Sequence, residues 1–236
     1  MALLDLIQDV FNEVGISQTQ PNAVVTSTDA QVLQLLAIAN STGRQLMKRY
    51  EWQELTKYAS FVTGGSVDVG TITSCFGSDF DRIVNQTFWD TSARLPIAGP
   101  RTMQQWQTDQ AGAAAGPPYY FVVFGGRVKI GPTAVASGHT MSAYYISGNW
   151  CTDASGTGQT AFAADTDLCV IPQELFKLSL IWRWKQAKGL SYAEDMATAE
   201  NQIETQIGGN RGAAVLYLGG SNQIYPTNIP EGYWPG

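Results

Sequence analysis

The chain has 236 residues, of which 44% are hydrophobic and 14% charged, and it includes seven Trp, ten Tyr and nine Phe. That much bulky apolar surface excludes a disordered chain and suffices for one good core, or a core with a smaller additional unit. The formal net charge of −6 argues against a protein that grips phosphates, because that role needs clustered Lys and Arg.

The opening MALLDLIQDV has no basic start and carries Asp5 and Asp9 inside its apolar stretch, so it reads as neither a secretion signal nor a membrane span. The chain is therefore expected to be made in the cytoplasm, and the sequons at Asn40 and Asn85 carry no weight. Leu3, Leu6, Ile7, Val10, Phe11 and Val14 recur at helical spacing up to Gly15, which predicts a first helix. Asp5, Asp9 and Glu13 share its other side as an acidic stripe. A solvated face is the ordinary reading of such a stripe, and the lining of a channel is the sharper one.

A polar linker follows, and Thr28 with Gln31 has the form of a capping box that opens a second helix running to about Tyr50. Its apolar set is Val32, Leu35, Leu36, Ala39, Leu46 and Tyr50. After Trp52 the pattern turns to β. Tyr58 to Thr63 and Ser66 to Ile72 read as short strands, Met103 to Asp109 as a short helix, and Thr140 to Ile146 as a further strand. The clearest hairpin joins Tyr119–Phe124 to Arg127–Ile130 through Gly125-Gly126.

Helix returns at Ile171-Pro172-Gln173 with an apolar set wide enough for a central helix: Leu175, Phe176, Leu178, Ile181, Trp182 and Trp184. Gly189 ends it, and Ser191 to Ile207 predicts a partner helix with Met196, Ala199 and Ile203 inward. From Arg211 onward only Arg211 and Glu231 are charged, while Pro226, Pro230 and Pro235 block helix. Tyr217, Ile224, Tyr225, Tyr233 and Trp234 make this segment a candidate docking arm, favoured over a segment folded back on its own core, because such residues concentrate at interfaces. The low charged fraction of the whole chain also suits burial against other protein.

These readings give an α+β chain in four parts: 1–52 and 171–209 as the halves of a four-helix bundle, 53–170 as a β-rich insertion between helices two and three, and 210–236 as an extended C-terminal arm. No catalytic set, metal site or cofactor is expected. The single histidine, His139, lies in a turn before a strand and reads as a surface residue. A zinc site or a Ser or Cys nucleophile would need that same His. Cys75, Cys151 and Cys169 are odd in number and lack CxxC spacing, so they read as thiols. Asp153 to Gln159 only superficially looks like a phosphate loop, because no GK[ST] follows it. Asp79 and Asp81, with Asp90, are a candidate carboxylate cluster, for which a turn cap at Asp79 and a local ion pair from Arg82 are the structural alternative.

Four segments, in order, carry a resemblance: MALLDLIQDVFNEVGI, STDAQVLQLLAIANSTGRQLMKRYEWQELT, GSDFDRIVNQTFWDTSARLPIAGPRTMQQW, and NWCTDASGTGQTAFAADTDLCVIPQELFKLSLIWRWKQAKGLSYAEDMATAE. Together they cover more than half the chain and resemble the head-to-tail adaptor proteins of short-tailed bacteriophages and their relatives among head-completion proteins. The resemblance implies a non-enzymatic virion protein at the head-tail junction. It implies about twelve copies in a ring that binds the portal protein through the C-terminal arm and meets a tail nozzle or tail fibre protein below. DNA would pass through the ring without sequence-specific binding, and no membrane is involved.

On that reading Tyr217, Ile224, Tyr225, Tyr233 and Trp234 meet the portal; Trp89, Arg94 and Trp106 contact the tail or a neighbouring copy; and Asp5, Asp9 and Glu13 face the lumen, where an acidic wall would repel the duplex and let it slide. The Pro- and Gly-rich end departs from the longer helix or charged tail that family members often carry. Three other readings stay open: a tail tube or nozzle component, which would be mostly β; a host-surface binding module using the β region; and a metal-dependent hydrolase built on Asp79, Asp81 and Asp153.

Overall fold

The computed structural model describes residues 2–15, 20–112 and 117–210, so the candidate arm, with Tyr217, Ile224, Tyr225, Tyr233 and Trp234, lies outside the described residues. Along the chain run α1 (Leu3–Val14), α2 (Ala30–Arg49), β1 (Thr56–Val62), β2 (Asp68–Thr71), α3 (Ile72–Phe76), β3 (Phe80–Ile83), β4 (Trp89–Asp90), β5 (Leu95–Pro96) and α4 (Met103–Ala111). They are followed by β6 (Tyr120–Phe124), β7 (Arg127–Gly131), β8 (Thr140–Ser147), β9 (Cys151–Thr152), β10 (Gly158–Gln159), β11 (Leu168–Cys169), α5 (Gln173–Ala187) and α6 (Ala193–Asn210).

This corrects the expected four-helix bundle with a β-rich insertion. Among the described residues there are six α-helices and eleven strands in three sheets, and these residues divide into two units, one drawn from 2–55 and 148–210 and the other from 56–147. The expectation failed because it rested on local periodicity. Strands of two to eight residues leave little periodic signal, and their pairing joins positions up to ninety apart.

The first unit is built around α5. Leu175, Phe176, Ser179, Leu180, Ile181 and Trp184 are buried on it, and α1, α2 and α6 pack against it. α1 buries Leu3, Leu6, Ile7, Val10 and Phe11, the stripe that its spacing foretold. α2 starts at Asp29, not Thr28: the Asp29 carboxylate accepts the Gln31 N–H at 2.7 Å, the short side chain satisfying an amide that the first turn leaves free. At its other end the buried Trp52 indole donates to the Leu46 carbonyl at 2.7 Å. On α6 Ala199 and Ile203 are buried, whereas Met196, expected inward, is 40% exposed.

Gly43 in α2 is where Trp150 lies on the helix, and a Cβ there would run into the indole ring. Trp150 stacks on Phe176 at 5.8 Å and meets Phe162 edge-on at 4.8 Å, while its Nε1 donates to the Thr160 carbonyl at 2.8 Å. The small antiparallel sheet β10-β9-β11 also belongs to this unit. In it Cys151 stands opposite Cys169. The segment before β11 holds the chain's beginning: the Asp165 and Asp167 carbonyls accept the N–H groups of Leu4 and Leu3 at 3.1 and 2.9 Å, and the Asp165 carboxylate accepts those of Val24 and Val25.

In the second unit β8 is central. It pairs with β1 along seven residues, from Thr56 opposite Ile146 to Val62 opposite Thr140, and on its other side with β3 and β4. β2, β7 and β6 form a second sheet, and Gly125-Gly126 turns the expected β6–β7 hairpin with φ of 58° and 72°, the positive values that a two-residue hairpin loop demands. The core of this unit gathers Phe76, Phe88, Phe121, Val128, Ile130, Met141 and Tyr145. Its rings meet edge to face, Phe88 on Phe121 at 4.9 Å and Phe61 on Phe76 at 5.7 Å. Each buried large side chain contributes roughly 1.5–3 kcal/mol.

Candidate contact surfaces

Strand alternation sets the first surface. On β1, Lys57, Ala59 and Phe61 share the core-facing side, so Tyr58, Ser60 and Val62 share the other. Tyr58 lies directly opposite Tyr144, with ring centroids 5.4 Å apart. Tyr58 is 58% exposed, Val62 62% and Tyr144 47%, values that make this a solvent-facing apolar stripe and not the fringe of a core. β1 is also the edge of its sheet. The Thr63 N–H to His139 carbonyl bond, 2.9 Å, places the odd residues of the ladder toward β8, which turns the amides and carbonyls of Tyr58, Ser60 and Val62 toward the open side. Exposed edges are commonly guarded by charge, proline or a bulge. Here the one charge of β1, Lys57, is engaged by Asp79 at 2.6 Å.

The second surface is the β4–β5 turn. Trp89 is half-buried on β4, opposite Pro96 and Ser142, and Arg94 is exposed at a positive φ of 57°. The turn is clasped from beneath. The Asp90 carboxylate, fully buried, accepts the Ala93 N–H at 2.9 Å and faces His139 Nδ1 at 2.6 Å, and the Ser92 hydroxyl accepts the Thr140 N–H at 2.9 Å. A carboxylate can only accept, so Nδ1 carries the proton. His139 is thus a structural clasp, about a third exposed, and not a free surface residue.

α4 begins at Thr102, whose hydroxyl accepts the Gln105 N–H while the Gln105 side chain accepts the Thr102 N–H. Trp106 is half-buried on it and rests against Gly131, where a Cβ would stand 2.6 Å from the ring. Beside it a groove of about 270 Å³ is lined by Thr108, Asp109, Pro117, Pro118, Tyr120 and Pro132. The Arg101 guanidinium lies 3.8 Å over the Tyr120 ring and 3.1 Å from Asp109. Trp89, Arg94 and Trp106 therefore occupy three different local settings, and only Arg94 is freely exposed.

The α1 stripe is partly consumed by local contacts. Asp5 is exposed and accepts the Ala2 N–H at 3.3 Å, Asp9 is half-buried, and Glu13 meets Lys177 at 3.4 Å, which also reaches Glu174 at 3.3 Å. Burial opposes the Lys177 charge, but the two carboxylates outweigh it and hold its pKa above the ordinary value.

The carboxylates proposed for chemistry are each engaged locally. Asp79 is tied to Lys57, accepts from the Ser147 hydroxyl at 2.7 Å and from the Tyr145 hydroxyl at 3.0 Å. Burial pushes the Asp79 pKa up, but these three donors together hold it below the ordinary value, while burial and the Asp79 charge push Tyr145 up to about 12. Asp81 pairs with its neighbour Arg82 at 2.8 Å. Asp153 closes its own turn by accepting from Ser155 and Thr157, bonds that lower its pKa. Among the described residues no three His, Cys, Asp or Glu side chains are grouped to hold a metal ion, and no helix is long and apolar enough to cross a membrane.

One unit is thus built around α5 and the other around β8, and Asp79, Asp81 and Asp153 are each engaged by partners within their own unit. The sequence matches the family model of the SU10 adaptor protein over residues 1–230, and the chain belongs to that family of bacteriophage adaptor proteins. No curated protein matches it.

Proposed function

We propose that this protein is a head-to-tail adaptor of the virion: a subunit, about twelve to a ring, seated between the portal protein and a tail nozzle or tail fibre protein, with DNA passing through without sequence-specific contact. The observation that carries the reading is the family match along nearly the whole chain. The net charge of −6 supports a path that does not grip DNA. The edge of β1, whose one charge is paired with Asp79, supplies with Tyr58 and Val62 a surface by which one copy meets the next.

The portal is assigned to 210–236, through Tyr217, Ile224, Tyr225, Tyr233 and Trp234, whose repetition around a ring multiplies a modest affinity. The β4–β5 turn with Arg94, together with Trp89 and Trp106, is assigned to tail or neighbour contacts. Asp5 and Asp9 are the lumen candidates; Glu13, paired with Lys177, adds less charge there.

Cosedimentation with assembled portal rings tests the reading. The full-length chain is expected to pellet with them and a chain truncated after Gly209 to stay in the supernatant. Equal pelleting of both would remove the arm as the anchor, and pelleting of neither would overturn the assignment to the portal.

A further inference from the structure

Cys151 and Cys169 are adjacent in space although eighteen positions apart in sequence, because β9 and β11 pair antiparallel with these two residues opposite each other. The ladder fixes the kind of pair. The Val170 N–H donates to the Trp150 carbonyl at 3.0 Å, so residues 150 and 170 form a hydrogen-bonded pair and the next pair along, 151 and 169, is of the non-hydrogen-bonded kind. In such pairs the Cα atoms stand about 4.5 Å apart with both side chains on the same face. Disulfides span Cα separations of roughly 4.4–6.8 Å, so this position accepts one without moving the backbone far.

We propose that Cys151 and Cys169 are a covalent modification site that closes into a cross-strand disulfide. The oxidant is a low-molecular-weight disulfide. The Cys169 thiolate attacks one of its sulfurs and expels one thiol; the Cys151 thiolate then attacks the Cys169 sulfur of the mixed disulfide and expels the second. Two protein thiols and one small disulfide become one protein disulfide and two small thiols. Cys169 is the entry point because it is the less buried of the two, whereas Cys151 is fully buried and donates to the Gln159 carbonyl at 3.3 Å.

Burial pushes both thiols up to about 12, with the Asp167 charge adding to the effect at Cys151. Few thiolates are therefore present at neutral pH, and closure is slow. The pair stays reduced in a cytoplasm and closes over the longer life of a particle outside the cell, where thiols are not kept reduced. The bond would close the loop that contains Asp165 and Asp167, the residues that hold Leu3, Leu4, Val24 and Val25, and so fix the start of α1 to the sheet. Cys75 is buried in the other unit and serves as an internal control.

The test uses the full-length protein in buffers of graded reduced and oxidised glutathione, both as folded protein and after refolding from denaturant in the same buffers, which removes the barrier of burial. Alkylation and peptide mapping follow. The expected result is loss of two of the three thiols, a linked peptide joining Cys151 to Cys169, and a raised melting midpoint. Cys169→Ser should fold with the same circular dichroism as the parent and show neither the linked peptide nor the rise. Three free thiols after oxidative refolding, a bond to Cys75, or only glutathione adducts would overturn the proposal, and none of these outcomes bears on the adaptor reading.

Discussion

His139 Nδ1 stands 2.6 Å from the Asp90 carboxylate, and that carboxylate has no exposure to solvent. The chain's one histidine thus hydrogen-bonds a buried acid at the base of the turn that presents Arg94. Replacing it by Ala strands the acid with the Ala93 N–H as its remaining donor on that turn. His139→Ala is expected to cost about 1–3 kcal/mol, the range for a buried polar group left without its partner. Urea unfolding reads this directly, and a midpoint equal to that of the parent would show that the clasp contributes nothing. Asp90→Asn, which keeps an acceptor, should cost less.

Gly43→Ala asks whether Trp150 can yield. The added Cβ would enter the space of the indole ring, which is pinned by its stack on Phe176 and its bond to the Thr160 carbonyl. Overpacking of this kind costs roughly 1–3 kcal/mol, more than the helix propensity gained from Ala. A lowered thermal midpoint is expected; a raised one would mean that the ring shifts freely.

Asp79 gives a pH dependence with a definite sign. Its folded pKa is depressed by Lys57, Ser147 and Tyr145, so its contribution is fully present above the ordinary carboxylate pKa of about 3.9 and is lost as the pH falls through the lower folded value. Asp79→Asn should therefore be less stable than the parent at neutral pH, with the gap narrowing below about pH 4 as the parent loses the same charge. Denaturation midpoints at neutral and acid pH check this, and a gap that widens in acid would contradict it.

The β1 edge predicts a split between folding and assembly. Tyr58 and Val62 are exposed, so Tyr58→Glu or Val62→Glu should leave circular dichroism and melting close to the parent while placing charge on an edge that has none free. Ring formation, followed by native mass spectrometry, should fall at least tenfold. Unchanged rings with either variant would move the subunit contact elsewhere.

What could be read from the chain before its structure was what is local. The helical stripe of α1 and the Gly125-Gly126 hairpin are written in neighbouring residues, and the structure has them there; on α5 Leu175, Phe176, Ile181 and Trp184 are buried as expected, but Leu178 and Trp182 are half-buried and Leu180 is buried with the core. The bundle expectation failed where contacts are distant: nothing near Tyr58 announces Tyr144, and nothing near Cys151 announces Cys169. Thr28 lost the cap to Asp29 because a neighbour with an equally short acceptor was better placed, a choice that spacing alone does not decide. Trp106 reads as a contact residue by type, yet it is half-buried with one edge of its ring against Gly131. The residues that sequence reasoning missed, Tyr58 and Val62, carried one usable sign, their alternation with Ala59 and Phe61.

Electron microscopy of the full-length protein bound to the portal of its own phage tests the central claim most directly. The account predicts a closed ring seated coaxially on the portal, with the portal's symmetry and an open channel wide enough for a DNA duplex. Particles in which the protein decorates the portal singly, or binds only a tail component and leaves the portal bare, would contradict it.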